Sequence, residues 1–224
     1  MNYEEHFKVS CENRDKYWKD TGELFPDVVG NMINPSFMGG PRWPSLRQAH
    51  IGVRINNGTI IATDGLSDPY DDYDKNTENQ SYNGIGIELY TITKSNYNNI
   101  QEIIDSWEFK ILRQVSIMVA SNPNISYTLN KYNYLSSTVN GIDLPSNFLG
   151  ENGEIGVLLG LKTNEVLNKI KLSIEEISLV NVAILTNKEL NYIMENGANG
   201  RIEVAEKLIE NGYYRLSTNR ESVI

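Results

Sequence analysis

The strongest constraint on the fold is a pair of alternating runs that one turn joins. Between residues 51 and 55 apolar side chains alternate with smaller or polar ones, and a run rich in β-branched residues resumes at 59–62. Asn57-Gly58 lies between them, and this pair tolerates the positive φ angles of a type I′ turn. Residues 85–93 alternate in the same way and predict a half-buried strand. These runs predict an antiparallel sheet built around a hairpin.

The residues after this hairpin and strand change to a helical period. Apolar side chains between 95 and 121 recur at steps of three and four, which predicts one long amphipathic helix lying across the sheet. Asn122-Pro123 ends that helix. Residues 122–154 show little periodicity and are expected to form short strands and loops. Further strands are predicted at 155–159 and 177–184.

The C-terminal part of the chain predicts helices. Thr186 and Glu189 have the spacing of a capping box, which opens a helix that is expected to end near Gly197. A second helix ends at Asn211-Gly212. Three of its apolar side chains are expected to face inward: Ile202, Ala205 and Ile209.

The order of these elements predicts a single α+β domain over residues 1–224. Its expected architecture is a mixed, mostly antiparallel sheet, with the long amphipathic helix packed on it and helices at the C-terminal end. Residues 1–22 are polar with scattered aromatic anchors and predict a peripheral helix. The core is expected within about residues 24–212.

Charge and cysteine content restrict the partners and the compartment. The formal net charge is −9, which repels the phosphate backbone of nucleic acids. The same charge suits a basic protein partner and, equally, simple solubility. Cys11 is the only cysteine, so an internal disulfide is excluded and a reducing compartment is indicated. The N-terminal residues lack the pattern of a secretory signal and no apolar run is long enough for a membrane span, so we expect a cytoplasmic protein.

Side chains that could carry catalysis are few. His6 falls in the predicted peripheral helix and His50 precedes the first strand, while Cys11 has no local context of a reactive thiol. Residues 65–69 come close to a nucleophile elbow around Ser67, but the second glycine of that motif is missing. Gly84-Ile85-Gly86 is followed by a strand rather than a helix, so it is not a dinucleotide-binding motif.

An acidic loop at residues 64–78 is the better candidate site. Asp72, Asp74 and Asn76 have the spacing of the first three ligands of an EF-hand, but Thr77 replaces the required glycine and Asn83 the bidentate glutamate. Three alternatives stay open at this point: a solvated loop, a weak cation site, or a negatively charged docking surface with tyrosine anchors. A metal-dependent hydrolase that combines this loop with His50 is the alternative function, and a structural or oligomeric domain without a dedicated partner is a third.

Two motifs in this region resemble a known family. Gly65-Leu66-Ser67-Asp68-Pro69-Tyr70, a variable polar loop and then Gly84-Ile85-Gly86-Ile87-Glu88-Leu89 resemble the signature of the Suppressor of fused (SUFU) family. The resemblance implies a mixed α/β fold and a non-catalytic domain that binds proteins, without cofactor or metal. Animal members take a peptide of their partner as an added strand, a recognised mode of binding. Short versions resemble a bacterial branch associated with immunity proteins that neutralise toxins.

The resemblance also assigns residues. Tyr70 matches the family tyrosine at the peptide site, whereas Gln80 stands near the position of a family aspartate. The residues expected to contact a partner are Asp68, Tyr70, Asp71, Asp72, Tyr73, Gln80 and Tyr82. The residues expected to hold the motif together are Gly65, Leu66, Ser67, Gly84, Gly86 and Glu88. Apart from the resemblance, a glutamate on a half-buried strand needs a partner, so Glu88 is expected to pair internally with an arginine such as Arg54.

Overall fold

The computed structural model describes residues 2–30, 35–41, 43–44, 48–70 and 82–224. Within them the chain forms one mixed sheet covered by helices on both faces. The strands are β1 (Glu23–Leu24), β2 (Ala49–Ile55), β3 (Gly58–Asp64), β4 (Ile87–Thr93), β5 (Leu135–Val139), β6 (Ile155–Leu161), β7 (Lys169–Lys171), β8 (Glu176–Leu185) and β9 (Arg215–Leu216). The helices are α1 (Tyr3–Thr21), α2 (Ile100–Asp105), α3 (Trp107–Ala120), α4 (Ile125–Tyr132) and α5 (Asn187–Glu210).

The strand order is β1-β2-β3-β4-β8-β6-β5, with β7 paired to β8 and β9 paired to β4. Only the pairings of β4 with β8 and with β9 are parallel among the described strands. One face of the sheet packs against α2, α3 and α4, and the other against α1 and α5. The predicted α+β class with a mostly antiparallel sheet is confirmed.

The hairpin is present, but its turn lies one residue earlier than predicted. Ile55 pairs with Gly58, so Asn56 and Asn57 form the turn. Neither asparagine has a positive φ, so the predicted type I′ turn is wrong. Gly58 is needed for a different reason: its φ is +132°, and a Cβ there would lie 1.9 Å from the carbonyl oxygen of Thr93 on the adjacent strand.

The predicted long helix over 95–121 is two helices. The chain leaves helical geometry at Ser106, with ψ of 149°, and the Ser106 hydroxyl accepts a hydrogen bond from the Phe109 amide to begin α3. The strand expected to be half-buried is buried along all of β4. The structure also forms α4, a helix within the region expected to hold only short strands and loops, and it buries Ile125 and Leu129.

The two ends of the chain pack differently from their sequence patterns. The stripe that α1 buries consists of three polar side chains, His6, Ser10 and Arg14, and one aromatic side chain, Trp18. The predicted C-terminal helices form α5, which is interrupted at Gly197 by a φ of 58°. Ile202, expected to face inward, is 41% exposed, because the inner face of this segment consists of Val204, Ala205 and Leu208. Within the described residues, no helix combines the length and apolar character needed to cross a bilayer.

Candidate partner-binding site

The two family-like motifs lie against each other where β3 ends and β4 begins. The Ile85 amide donates to the Leu66 carbonyl oxygen at 2.8 Å. Gly84 has a φ of +56°, and a Cβ there would lie 2.4 Å from the carbonyl oxygen of Asp68 and 2.5 Å from that of Leu66. A side chain at Gly84 would therefore separate the two turns.

Glu88 joins the same motifs from inside the sheet. Its Oε1 accepts from the amides of Gly65 (3.0 Å) and Ser67 (2.9 Å) and from the Ser67 hydroxyl (2.6 Å), while Oε2 accepts from the Thr63 hydroxyl at 2.5 Å. Burial raises the pKa of Glu88 against the opposing attraction of Arg14. The spacing of the two motifs therefore has a physical reason, because the glutamate of the second satisfies the backbone turn of the first.

Arg14 of α1 is the cation of this cluster. Its Nε donates to Asp64 Oδ1 at 2.9 Å, Nη1 donates to the Ser67 hydroxyl at 3.0 Å, and Nη2 donates to Asp68 Oδ1. Although burial alone disfavours the charged guanidinium, the carboxylates of Asp68, Asp64 and Glu88 raise the pKa of Arg14. Arg54, the predicted partner of Glu88, instead pairs with Glu23 at 2.9 Å.

Sequence reasoning missed Arg14, because its burial is seen only in the structure. Arg14 is fully buried, and the side chains at its four-residue spacing along α1, from His6 to Trp18, are buried as well. A buried stripe that contains an arginine requires a carboxylate partner. The acidic residues nearest to the Gly65–Tyr70 motif are that partner.

A second set of hydrogen bonds fixes α1 to the other side of the site. His6 Nε2 donates to the Tyr82 carbonyl oxygen at 2.8 Å, and its Nδ1 bonds the Ser173 hydroxyl. Ser173 and Ser10 are joined at 2.8 Å, and the Asn83 side-chain amide donates to the Ser10 hydroxyl at 2.8 Å. Because the Tyr82 carbonyl can only accept, His6 Nε2 carries a proton in this contact.

Comparison with known proteins identifies the family. The family described as Suppressor of fused protein (SUFU) matches residues 48–220. The chain belongs to the SUFU family. A crystal structure of the Sufu-Fu complex is similar to this SUFU chain with a TM-score of 0.53 and 13% identity, over 97% of this chain and 92% of the other. The crystal structure of Drosophila Suppressor of Fused is similar with a TM-score of 0.56 and 13% identity, over 97% of this chain.

This SUFU chain spans 51% of the matched Drosophila chain. A comparison with curated protein sequences finds no match. At 13% identity the two solved structures support the fold of this chain and do not assign its partner. Helix α1, which supplies Arg14 and His6, lies before the 48–220 segment that the family match covers.

The predicted contact residues of the SUFU chain fall into three groups. Tyr70 is half-buried and Tyr82 is 43% exposed, and these residues stand on either side of segment 71–81. Asp71, Asp72, Tyr73 and Gln80 lie outside the described residues. Asp68 is fully buried, and its carboxylate bonds Arg14. Of the two tyrosines that the structure describes at this site, Tyr82 is therefore the more accessible, and Tyr70 is partly covered.

His50 is separated from the acidic cluster of this SUFU chain by the sheet. Its ring packs against Phe109 and Trp43 on the α3 side, whereas Asp64 bonds Arg14 on the α1 side. Burial, with a smaller contribution from Arg113, lowers the pKa of His50 to about 3. His50 therefore does not join Asp64, and no group of three or more His, Cys, Asp or Glu side chains in the described residues is placed to hold a metal ion.

Proposed function

We propose that this chain is a non-catalytic, cytoplasmic protein-binding domain that occludes its partner, and that the partner is a toxin which the chain neutralises as a bacterial immunity protein. SUFU proteins are protein-binding regulatory domains, and one of the matched structures is a SUFU protein in complex with a partner. The toxin partner rests on the resemblance of the short chain to the bacterial branch. The contact surface consists of Tyr70, Tyr82 and segment 71–81, named here the tyrosine surface.

The observation that carries this proposal is the way α1 holds both ends of the tyrosine surface. Arg14 bonds Ser67 and Asp68 just before Tyr70, and His6 and Ser10 bond Tyr82 and Asn83 just after segment 71–81. Both attachments are buried, while the Tyr82 ring stays 43% exposed. A tyrosine held on a fixed backbone loses little conformational entropy on binding, which favours its use as an anchor.

Charge supports a basic partner at this surface. Segment 71–81 carries four acidic side chains (Asp71, Asp72, Asp74 and Glu78) and one basic side chain, Lys75, in a chain of net charge −9. Opposite charge on a partner raises the association rate, and that gain falls as salt is added. We therefore expect binding to slow at high ionic strength mainly through the association rate.

The chemistry of the site supports binding rather than catalysis. The Ser67 hydroxyl is fully buried, donates to Glu88 and accepts from Arg14. A nucleophilic serine needs an adjacent free base and an exposed position, whereas this hydroxyl is used inside the fold. The buried carboxylates of the cluster are likewise committed to Arg14 and to backbone amides.

The test combines capture with growth. The tagged chain is used to capture proteins from the native host, and each captured protein is expressed alone and together with this chain. We expect one stoichiometric partner whose expression stops growth and whose effect is relieved by co-expression. Replacing Tyr70 and Tyr82 together by alanine is expected to weaken binding at least about tenfold, the loss of a hot-spot anchor.

Tyr127→Ala is the matched control, because Tyr127 on α4 is 66% exposed and lies outside the tyrosine surface. If a partner still binds the double variant with wild-type affinity, the interface lies outside the tyrosine surface. If a stoichiometric partner is harmless when expressed alone, the binding function stands and the immunity role is refuted. The absence of any partner would overturn the masking proposal.

A further inference from the structure

The edge of the sheet at β5 is open, unlike the edge at the opposite end. Among the described residues β5 pairs only with β6, and four of its five residues are at least partly exposed, with Thr138 the most exposed of them. At the opposite end the outer side of β2 is covered by residues 23–29, which pair through β1 and through a bridge between Val29 and His50. Within the part of the chain that the structure describes, β5 is therefore the longer edge strand, and no other strand pairs with its outer side.

Strand β5 also lacks the features that normally protect an edge. Soluble proteins protect exposed strands with lysines, prolines, bulges or very short length. The short strand β7 follows that rule, because Lys169 and Lys171 are its two exposed residues. By contrast, residues 132–142 contain no charged side chain and no proline. An edge of this composition is suited to pairing with another strand.

One contact shows which backbone groups of this edge point outward. The Asn140 amide donates to Gln114 Oε1 at 3.1 Å, and Gln114 Nε2 donates to the Asn140 carbonyl oxygen. The Gln114 side chain thus makes the two hydrogen bonds that a neighbouring strand would make, just beyond the last β5–β6 pair, Val139 with Ile155. Because alternate residues of an antiparallel strand point the same way, Ser136 and Thr138 direct their amides and carbonyls outward with Asn140.

We propose that β5 pairs antiparallel with β5 of a second copy of this chain, so that the two sheets become one across a two-fold axis near Ser137. An antiparallel strand is complementary to itself under two-fold symmetry, and such a contact closes after two copies. Two chains of net charge −9 repel each other at most orientations, but residues 132–142 are uncharged. A basic partner would find no charge here to match, which favours a second copy.

The oligomeric state of the full-length chain tests this proposal. Sedimentation is measured over a concentration series, and we expect a mass that rises to twice 25.4 kDa. Hydrogen exchange at the Ser136 and Thr138 amides is expected to slow over the same range. Thr138→Lys is expected to raise the dimer dissociation constant at least about tenfold, because the two lysines come within the diagonal spacing of neighbouring strands. Thr138→Val, which adds no charge, keeps the dimer.

A mixing experiment guards against a variant that merely misfolds. Thr138→Lys and Thr138→Asp are expected to be monomeric separately and to form a one-to-one heterodimer when mixed. A wild-type chain that stays monomeric at every concentration overturns the proposal. So does a dimer that Thr138→Lys does not weaken, or a mixture that stays monomeric. None of these results involves Tyr70 or Tyr82, so they are independent of the proposed partner binding.

Discussion

Two buried arginines attach the two ends of this chain to the sheet, and they do so with different charge balance. Arg220 near the C-terminus faces one carboxylate, Glu189, and bonds both of its oxygens at 2.7 Å. Its guanidinium also lies over the rings of Phe148 and Tyr213. Arg14 on α1 faces three carboxylates, those of Asp64, Asp68 and Glu88. One site pairs charge for charge, whereas the other has excess negative charge.

This difference in charge balance decides which of the two sites contains a carboxyl group with a raised pKa. A matched pair in a buried site offsets its desolvation only when its geometry is good and further hydrogen bonds satisfy its remaining polar groups, as the Thr186 and Val223 amides do for Glu189. An excess carboxylate has no cation of its own, and the raised pKa of Glu88 is the result of its burial. The cluster beneath the family motif is therefore the part of the molecule whose stability responds to pH through a buried acid, and the predictions below separate it from the Arg220 pair.

The largest effect is expected from Arg14→Met. Removing the cation leaves the buried carboxylates uncompensated, which costs about 3–5 kcal/mol of the free energy of unfolding, measured in urea. Arg14→Lys keeps the charge but not the branched donor geometry, so its free energy of unfolding should lie between those of the wild type and Arg14→Met. Arg54→Met is the control, because its pair with Glu23 is exposed and is expected to contribute less than about 1 kcal/mol. Equal losses of unfolding free energy in Arg14→Met and Arg54→Met would contradict the proposed difference between the buried cluster and the exposed pair.

Arg220→Met is expected to cost about 3 kcal/mol, the lower end of the range for a broken buried pair. Without Arg220, Glu189 still accepts hydrogen bonds from the amides of Thr186 and Val223, so the loss of its cation is better compensated than at the carboxylates around Arg14. Hydrogen exchange should rise in residues 217–224, which Arg220 attaches to α5. A stability loss larger than that of Arg14→Met would contradict the comparison.

The smallest effect concerns pH and Glu88. A carboxyl with a raised pKa in the folded state adds stability at low pH, and this is lost as pH rises from its ordinary value of 4.5 through the folded-state pKa. Glu88→Gln should remove that slope, which is at most about 1.4 kcal/mol per pH unit. The quantity to measure is the difference in unfolding free energy between wild type and Glu88→Gln from pH 5 to 8.

His50 supplies a slope of opposite sign that this difference cancels. With a folded-state pKa of about 3 against 6.5, His50 stabilises the fold above pH 6.5 and loses that contribution as pH falls toward 3. Because both proteins contain His50, only the Glu88 contribution survives in the difference. Parallel curves of unfolding free energy against pH for wild type and Glu88→Gln would show that Glu88 is ionised in the folded chain. That result would refute the inference that Glu88 is the carboxylate whose pKa is raised in this cluster.

Local patterns predicted much of this fold, and long-range polar contacts account for most of what they missed. The hairpin, the main strands and the capping box at Thr186 depend on residues close in sequence, so periodicity and turn chemistry suffice. The break at Ser106 was missed because the apolar stripe continues across it and only the serine cap marks the new helix. Helix α4 was missed because an Asn- and Ser-rich segment hides its two core residues.

The sequence predicted the two motifs of the candidate site but not the helix that packs against them. The family resemblance identified the two motifs, Gly65–Tyr70 and Gly84–Leu89, and the structure shows that they lie against each other. Arg14 could not be assigned to them, because its partners lie 50 or more residues away and apolar periodicity does not register a stripe containing a histidine, a serine and an arginine. The structure therefore adds an N-terminal helix to a site that the sequence assigned to residues 65–88.

The position of Arg14 also orders events during biosynthesis. Helix α1 is made before every carboxylate that binds Arg14, and the set of Asp64, Asp68 and Glu88 is complete only once residue 88 has been made. Until then the guanidinium is solvated and the polar stripe of α1 has nothing to dock against, since contacts of such sequence separation form late. We therefore expect α1 to dock completely only after β2, β3 and β4 have assembled.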